Sequence, residues 1–369
     1  MNPFKYGCVV EGEFFCPRPE LERDLASFVK SGQNVVIQGA RRMGKTSLIK
    51  RTVNSVKGVQ LLYVDLYCIQ TLSDFCRRVM AGVSETSERM PFLKKAMSLV
   101  SRLRPVLSFD SMTGAPSISV DARAAGEPDS LGVTMAMIRK LASDERLCVV
   151  FDEFQDVLNL PNAQTVLAEM RSTIQFQPDT PYLFSGSVRN EMMGIFEDSS
   201  SPFFKSAVPF TVGAINTDDL AKFVVARFRK GKRMIDDETA AELVRYADSV
   251  TGDVQQLCEA IWDTTETDAT ISLDNINAAF ELVFAREYES YGDSVRQLTP
   301  LQTSVLRALA ETSGLKMFSE EFMSRVGTSS TGALRTALAR LVDKRLIYQY
   351  GGEYKFTNPF FREWIRRKM

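Results

Sequence analysis

The stretch VVIQGARRMGKTSLI, residues 35–49, constrains this chain more than any other. An apolar run ends at Gly39, four residues follow, and Gly44-Lys45-Thr46 opens a helical pattern. That spacing, between a strand and a helix, is the signature of a phosphate-binding P-loop. Glycines allow backbone N–H groups to converge on phosphate oxygens at the positive end of the following helix. The candidate nucleotide contacts are therefore Gly39, Ala40, Arg41, Arg42, Met43, Gly44, Lys45, Thr46 and Ser47. Lys45 is expected along the β and γ phosphates, and the Thr46 hydroxyl on Mg²⁺.

The rest of the first two hundred residues is consistent with such a loop. NVVIQG (34–39), LLYVDL (61–66), LCVVFDE (147–153), PYLFSGS (181–187) and VPFTVGAI (208–215) are short β-branched or aromatic runs separated by helical patterns. Near-continuous apolar strands alternating with helices predict a parallel sheet covered on both faces. An insert over about residues 84–145 begins and ends helical, and its RPVLSFDSMTGAPSISVDA predicts a hairpin around Thr113-Gly114.

A P-loop needs an acidic strand end to hold the metal, and LCVVFDEFQD supplies one. Asp152 is the candidate for the Mg²⁺ shell and Glu153 for polarising the attacking water. Adjacent carboxylates favour hydrolysis over transfer to a metabolite, and the lack of an Asn-Lys-x-Asp motif favours ATP over GTP. Ser185 and Ser187 in LFSGS are candidates for sensing the γ-phosphate, turn capping being the alternative.

Composition excludes several other chemistries. There is no histidine, so imidazole-based triads and His-ligated zinc sites are ruled out. The six cysteines, Cys8, Cys16, Cys68, Cys76, Cys148 and Cys258, form no CxxC pair and read as buried free thiols in a reducing compartment. No apolar run reaches the 18 or so residues of a membrane helix and no signal-peptide core is evident, so the expected location is cytoplasmic. Charge is unevenly placed: residues 296–369 carry 13 Lys and Arg against 6 Asp and Glu, while the preceding residues carry 32 against 40.

Residues 216–295 read as a helical domain, with four amphipathic stretches each opened by an acid, Ser or Thr. From 296 to 369 the pattern is three helices, two short strands around Gly351-Gly352 and a last helix, the order of a winged helix-turn-helix. In STGALRTALARLVDKR, Leu334, Leu338 and Leu341 form a buried stripe that turns Arg335, Arg340 and Lys344 outward. Ser330 at the helix start and Lys355 on the wing join them as candidate DNA contacts, and Arg362, Arg366, Arg367 and Lys368 would extend a phosphate-backbone footprint. A solvated basic face or a protein-docking surface is the alternative.

With GARRMGKTSLI, VVFDEFQD and YLFSGS in place, the chain resembles the archaeal-type ATPase family, in the STAND branch of AAA+ proteins, and is similar to origin-recognition ATPases. FFCPRPELERDL is similar to the family's opening segment, and the resemblance implies that Arg18 lies near the adenine end of the nucleotide. NPFFREWIRRK is similar to its Asp-Pro-Phe ending, with Asn358 in place of Asp. The resemblance implies an AAA+-like α/β P-loop domain over 1–215, a helical lid over 216–295 and a winged helix over 296–369. It further implies ATP or ADP with Mg²⁺, nucleotide-dependent switching often accompanied by homo-oligomerisation, and a duplex DNA or protein partner. Lys205 stands where relatives tend to carry an arginine finger, and lysine lacks the planar fork.

Overall fold

Five of the predicted strands are β1 (Val35–Gln38), β2 (Gln60–Asp65), β5 (Leu147–Asp152), β6 (Tyr182–Gly186) and β7 (Val208–Thr211). All pair in parallel, in the order β2-β5-β6-β1-β7. The computed structural model describes residues 2–87, 105–109, 116–120, 129–187, 189–312, 316–350 and 352–369. One unit comprises Val9–Gly213, and a second comprises Met1–Cys8 with Ala214–Met369.

In the first unit, alternation along each strand sends side chains to two cores. Val36, Leu62, Val64, Val149, Phe151, Tyr182 and Phe184 enter one, against α3 (Leu72–Ser87), α4 (Asp129–Asp144), α5 (Ala163–Ile174) and α6 (Arg189–Phe196). Phe151 is central there, with the rings of Phe75, Phe154, Tyr182 and Phe184 at 6.0–6.3 Å. Val35, Ile37, Cys148, Val150, Leu183 and Phe210 enter the other, against α1 (Pro19–Lys30) and α2 (Lys45–Ser55). The insert contains β3 (Pro105–Phe109) and β4 (Pro116–Val120), paired antiparallel as the sequence predicts. The expected turn at Thr113-Gly114 lies outside the described residues.

The second unit contains α7 (Thr217–Lys230), α8 (Asp237–Tyr246), α9 (Thr251–Thr264) and α10 (Leu273–Arg296). Asn216, Asp236 and Ser272 cap three of these through their side chains. A two-residue parallel bridge joins β8 (Met234–Ile235) to β9 (Thr270–Ile271). There follow α11 (Pro300–Glu311), α12 (Glu320–Val326), α13 (Thr331–Asp343), the antiparallel pair β10 (Ile347–Tyr350) and β11 (Glu353–Phe356), and α14 (Pro359–Lys368). α10 runs through Gly292 to Arg296, and its buried Tyr291 packs on Phe361 and Trp364 at 5.2 and 5.7 Å. Asn358 caps α14 by accepting from the N–H groups of Phe360 and Phe361 at 2.8 and 3.2 Å, and it also donates to the Tyr291 hydroxyl. The amide thus does the capping an aspartate would do and adds a donor.

Two sequence expectations need correction. Cys8 and Cys68 are exposed, whereas Cys16, Cys76, Cys148 and Cys258 are buried as expected. The cations of α14 are not all turned outward: Arg366 and Lys368 are exposed, but Arg362 and Arg367 are half-buried, Arg362, Arg366 and Arg367 gather on the buried carboxylate of Glu363, Arg362 also meets Asp248, and Lys368 meets Glu281. A buried carboxylate needs such partners to offset its lost hydration.

α3 lies so close to β2 that a Cβ at Gly82 would come within 2.4 Å of the Tyr63 carbonyl oxygen. Gly82→Ala is therefore expected to destabilise the first unit by about 1–3 kcal/mol, read as a lowered unfolding midpoint in urea.

Candidate active site

The loop between β1 and α2 owes its path to three backbone features. A Cβ at Gly39 would lie 2.4 Å from Val212 O, so only glycine permits the neighbouring strand's approach. Arg42 and Gly44 then adopt positive φ, 64° and 80°, which turns the chain into α2. Gly44 caps that helix without a side-chain partner, leaving first-turn N–H groups directed at whatever the loop encloses.

Lys45 is only 7% exposed, and its ammonium donates to the loop carbonyls of Gly39 and Ala40 at 2.9 and 3.1 Å. Burial pulls its pKa below the usual lysine value, the carboxylates of Glu153 and Asp152 oppose that, and Arg41 reinforces it. Arg41 and Arg42 are exposed. Ser47 turns away from the loop, its hydroxyl accepting from Val10 N–H at 3.0 Å. Arg18 donates to Gly213 O and to Met43 O, both at 2.7 Å, and so secures the outer side of the loop. Its burial lowers its pKa.

β5 ends at Asp152, and the chain turns sharply there because Glu153 takes a left-handed conformation, φ 50°, before a short 3₁₀ helix, Phe154–Asn159. Asp152 Oδ2 accepts from the Thr46 hydroxyl at 2.7 Å and from the Tyr63 phenol at 2.6 Å. Asp152 Oδ1 accepts from the Glu153 N–H at 3.1 Å. Glu153 Oε2 accepts from Gln155 Nε2 at 2.6 Å and from the Ser187 hydroxyl at 2.9 Å. The fold thus gathers Lys45, Thr46, Asp152, Glu153 and Ser187. Ser185 instead points into the protein, fully buried. Lys205, at φ 51° on an exposed turn, has its ammonium over the Phe204 ring at 5.2 Å and is not among the gathered side chains' partners.

Sequence reasoning missed Tyr63 and Gln155. A tyrosine inside LLYVDL reads as ordinary strand filling, and only the register that sets Asp65 beside Asp152 brings its phenol to the carboxylate. Burial and the adjacent Asp152 raise the Tyr63 pKa well above the usual range, so it remains a protonated donor. Gln155 lies two residues past Glu153, a spacing that fits a tight helical turn folding back on itself.

A hydroxyl and a carboxylate oxygen beside a loop ammonium suit a hard divalent cation. Among the described residues no group of three or more His, Cys, Asp and Glu side chains could hold a metal alone. The arrangement fits a cation completed by phosphate oxygens, with Thr46 and Asp152 as the protein's share.

In the second unit, Leu334, Leu338 and Leu341 are buried, as the periodicity predicts. Ser330 accepts from Ala333 N–H at 3.1 Å and caps α13. Arg335 is exposed, its guanidinium 5.7 Å from the Phe318 ring, and Lys344 is exposed at the end of α13. Arg340 pairs loosely with Asp343 at 3.8 Å and Lys355 with Glu353 at 3.9 Å, in each case at the surface. The exposed Arg345, next to Lys344, was not singled out from the sequence.

Residues 289–367 match a family model described as "Probable winged helix domain". No curated protein matches the sequence. Among solved structures, the Walker-type ATPase of Pyrococcus abyssi superposes with a TM-score of 0.67 at 18% identity, covering 99% of each chain. The Aeropyrum pernix ORC2 protein, in ADPNP–ADP complexes, gives 0.56 at 14% identity, over 98% of this chain and 96% of that one. Among the described residues no helix is long and apolar enough to cross a membrane. The chain thus has the α/β fold of the archaeal Walker-type and origin-recognition ATPases and carries a winged-helix domain in its C-terminal region.

Proposed function

We propose that the protein is an ATP-binding and ATP-hydrolysing molecular switch whose winged helix engages duplex DNA. The observation that carries this reading is the convergence of Lys45 and Thr46 from one strand end with Asp152 and Glu153 from another. The ADPNP and ADP of the Aeropyrum pernix neighbour support it. In this reading the Lys45 ammonium leaves the loop carbonyls for phosphate oxygens, which need that charge more than two neutral acceptors do. Thr46 and Asp152 hold Mg²⁺, which when bound supplies charge neutralisation at the phosphates. Glu153 orients the attacking water and accepts its proton, and Ser187, whose hydroxyl donates to that carboxylate, would pass it the state of the phosphates.

The three proposed domains are a P-loop domain over 1–215, a helical lid over 216–295 and a winged helix over 296–369. Nucleotide state can shift DNA engagement only if the two ligands favour the same conformation, so the coupling must be reciprocal. Arg335, Lys344 and Lys355, assisted by Ser330 and Arg340, would contact phosphates without reading bases.

A second reading is a nucleotide-holding scaffold whose winged helix meets a protein partner. One observation favours it: the four cations of α14 are occupied within the chain, which narrows the surface left for a phosphate backbone. Stoichiometric ADP surviving purification, without turnover, would support that reading.

Lys45→Ala is expected to abolish tight ATP binding. Glu153→Gln should keep binding and lose hydrolysis by about 100-fold or more; turnover equal to the unsubstituted protein would refute the role given to that carboxylate. Steady-state hydrolysis should rise on adding duplex DNA at low salt and lose that stimulation at moderate salt, with Lys45→Ala as the blank. Arg335→Ala and Lys344→Ala should each lower the slope of log affinity against log salt by about 1, measured by fluorescence anisotropy of a labelled duplex.

A further inference from the structure

We propose that Tyr63 is a positioning residue for the metal-shell carboxylate Asp152, its phenol aiming that carboxylate from a strand outside the loop. The inference rests on the reading of Thr46 and Asp152 as the protein's metal ligands.

Among the described residues, Asp152 has three donors. Oδ2 accepts two hydrogen bonds, from Thr46 at 2.7 Å and Tyr63 at 2.6 Å, and Oδ1 accepts one, from Glu153 N–H. These three are not equivalent. The Thr46 hydroxyl belongs to the loop that would itself ligate the cation, so it does not hold the carboxylate from outside that site. The Glu153 N–H belongs to the residue next along the chain and constrains only Oδ1. Tyr63 alone holds Oδ2 from an element that does not belong to the loop or to β5.

That element is suited to the task. Tyr63 stands opposite Val150 in the β2–β5 register, two residues before Asp65 and Asp152 meet, so its ring reaches one pleat forward to the carboxylate. The backbone is held on the other side by Gly82, whose missing Cβ permits close contact with Tyr63 O. The ring faces the Lys50 ammonium at 4.1 Å from its centroid, and Lys50 belongs to α2, the helix that begins at the loop. A phenylalanine would fill the same space and keep the Lys50 contact, so packing alone gives no account of the hydroxyl.

Groups that orient a metal ligand from outside the coordination sphere commonly contribute 10–100-fold in metal affinity. The test uses the full chain with Mn²⁺ as the probe, free Mn²⁺ being read by electron paramagnetic resonance in the presence of saturating ADP. Tyr63→Phe is expected to raise the Mn²⁺ dissociation constant about 10-fold while leaving ADP affinity in excess EDTA unchanged. An unchanged Mn²⁺ constant in Tyr63→Phe, alongside a raised one in Asp152→Asn, would overturn the proposal and leave the metal reading intact. A loss of ADP affinity in EDTA as large as the loss of Mn²⁺ affinity would also overturn it, since the phenol would then shape the loop and not the metal site. If neither substitution changes Mn²⁺ binding, the assignment of Asp152 itself fails, and the role of Tyr63 with it.

Discussion

The hydrogen bond from the Thr46 hydroxyl to Asp152 Oδ2 joins the start of α2 to the end of β5, and the candidate site is arranged around it. It can form only because β6 lies between β1 and β5 and all three run in the same direction. Parallel pairing brings the C-terminal ends of the strands to one edge, where chain that leaves the sheet has room to form loops. A charge-assisted bond in a half-buried setting is stronger than its counterpart in water, and leaving either partner unpaired there is correspondingly costly. Tyr63 and the Glu153 backbone then fall into place as further donors to Asp152, while the Lys45 ammonium, held by loop carbonyls, lies within the field of both carboxylates.

Glu153 shows how strain and hydrogen bonding are balanced at this edge. A non-glycine residue in the left-handed region costs roughly 1 kcal/mol or more. Two donors on one carboxylate oxygen, from Gln155 and Ser187, help to offset that cost and fix the side chain's direction. The same bonds mean that a change at Ser187 alters the surroundings of the proposed hydrolytic carboxylate directly. Gln155 is 3% exposed, and its carbonyl oxygen has no hydrogen-bond partner among the described residues; Gly186 has no side chain where a Cβ would meet that oxygen at 2.5 Å.

The basic region after residue 296 divides into two populations. Cations on α14 neutralise Glu363, Asp248 and Glu281 and hold the last helix against the helices before it. Arg367 additionally covers the Phe280 ring at 4.4 Å. Cations on α13 and the wing have exposed side chains with loose partners or none beyond a ring contact, and exposed pairs of that kind contribute little to stability. They are the ones free to exchange a protein partner for a ligand.

Much of this was legible in the sequence for local reasons. Glycine spacing and an apolar run identified the loop, and an apolar run closing in Asp152-Glu153 identified the acidic strand end. Period-3.6 leucines found the buried face of α13, since each of these signals depends on neighbours a few residues apart. What tertiary structure alone decided was pairing over long separations. The β2–β5 register brought Tyr63 to Asp152, the strand end at β6 brought Ser187 to Glu153, and the packing of α14 gave Arg362 and Lys368 carboxylate partners in Asp248 and Glu281. Composition and periodicity record which residues are charged and which face is apolar; they do not record which distant carboxylate a cation or phenol will meet, because that follows from how the strands and helices align in space.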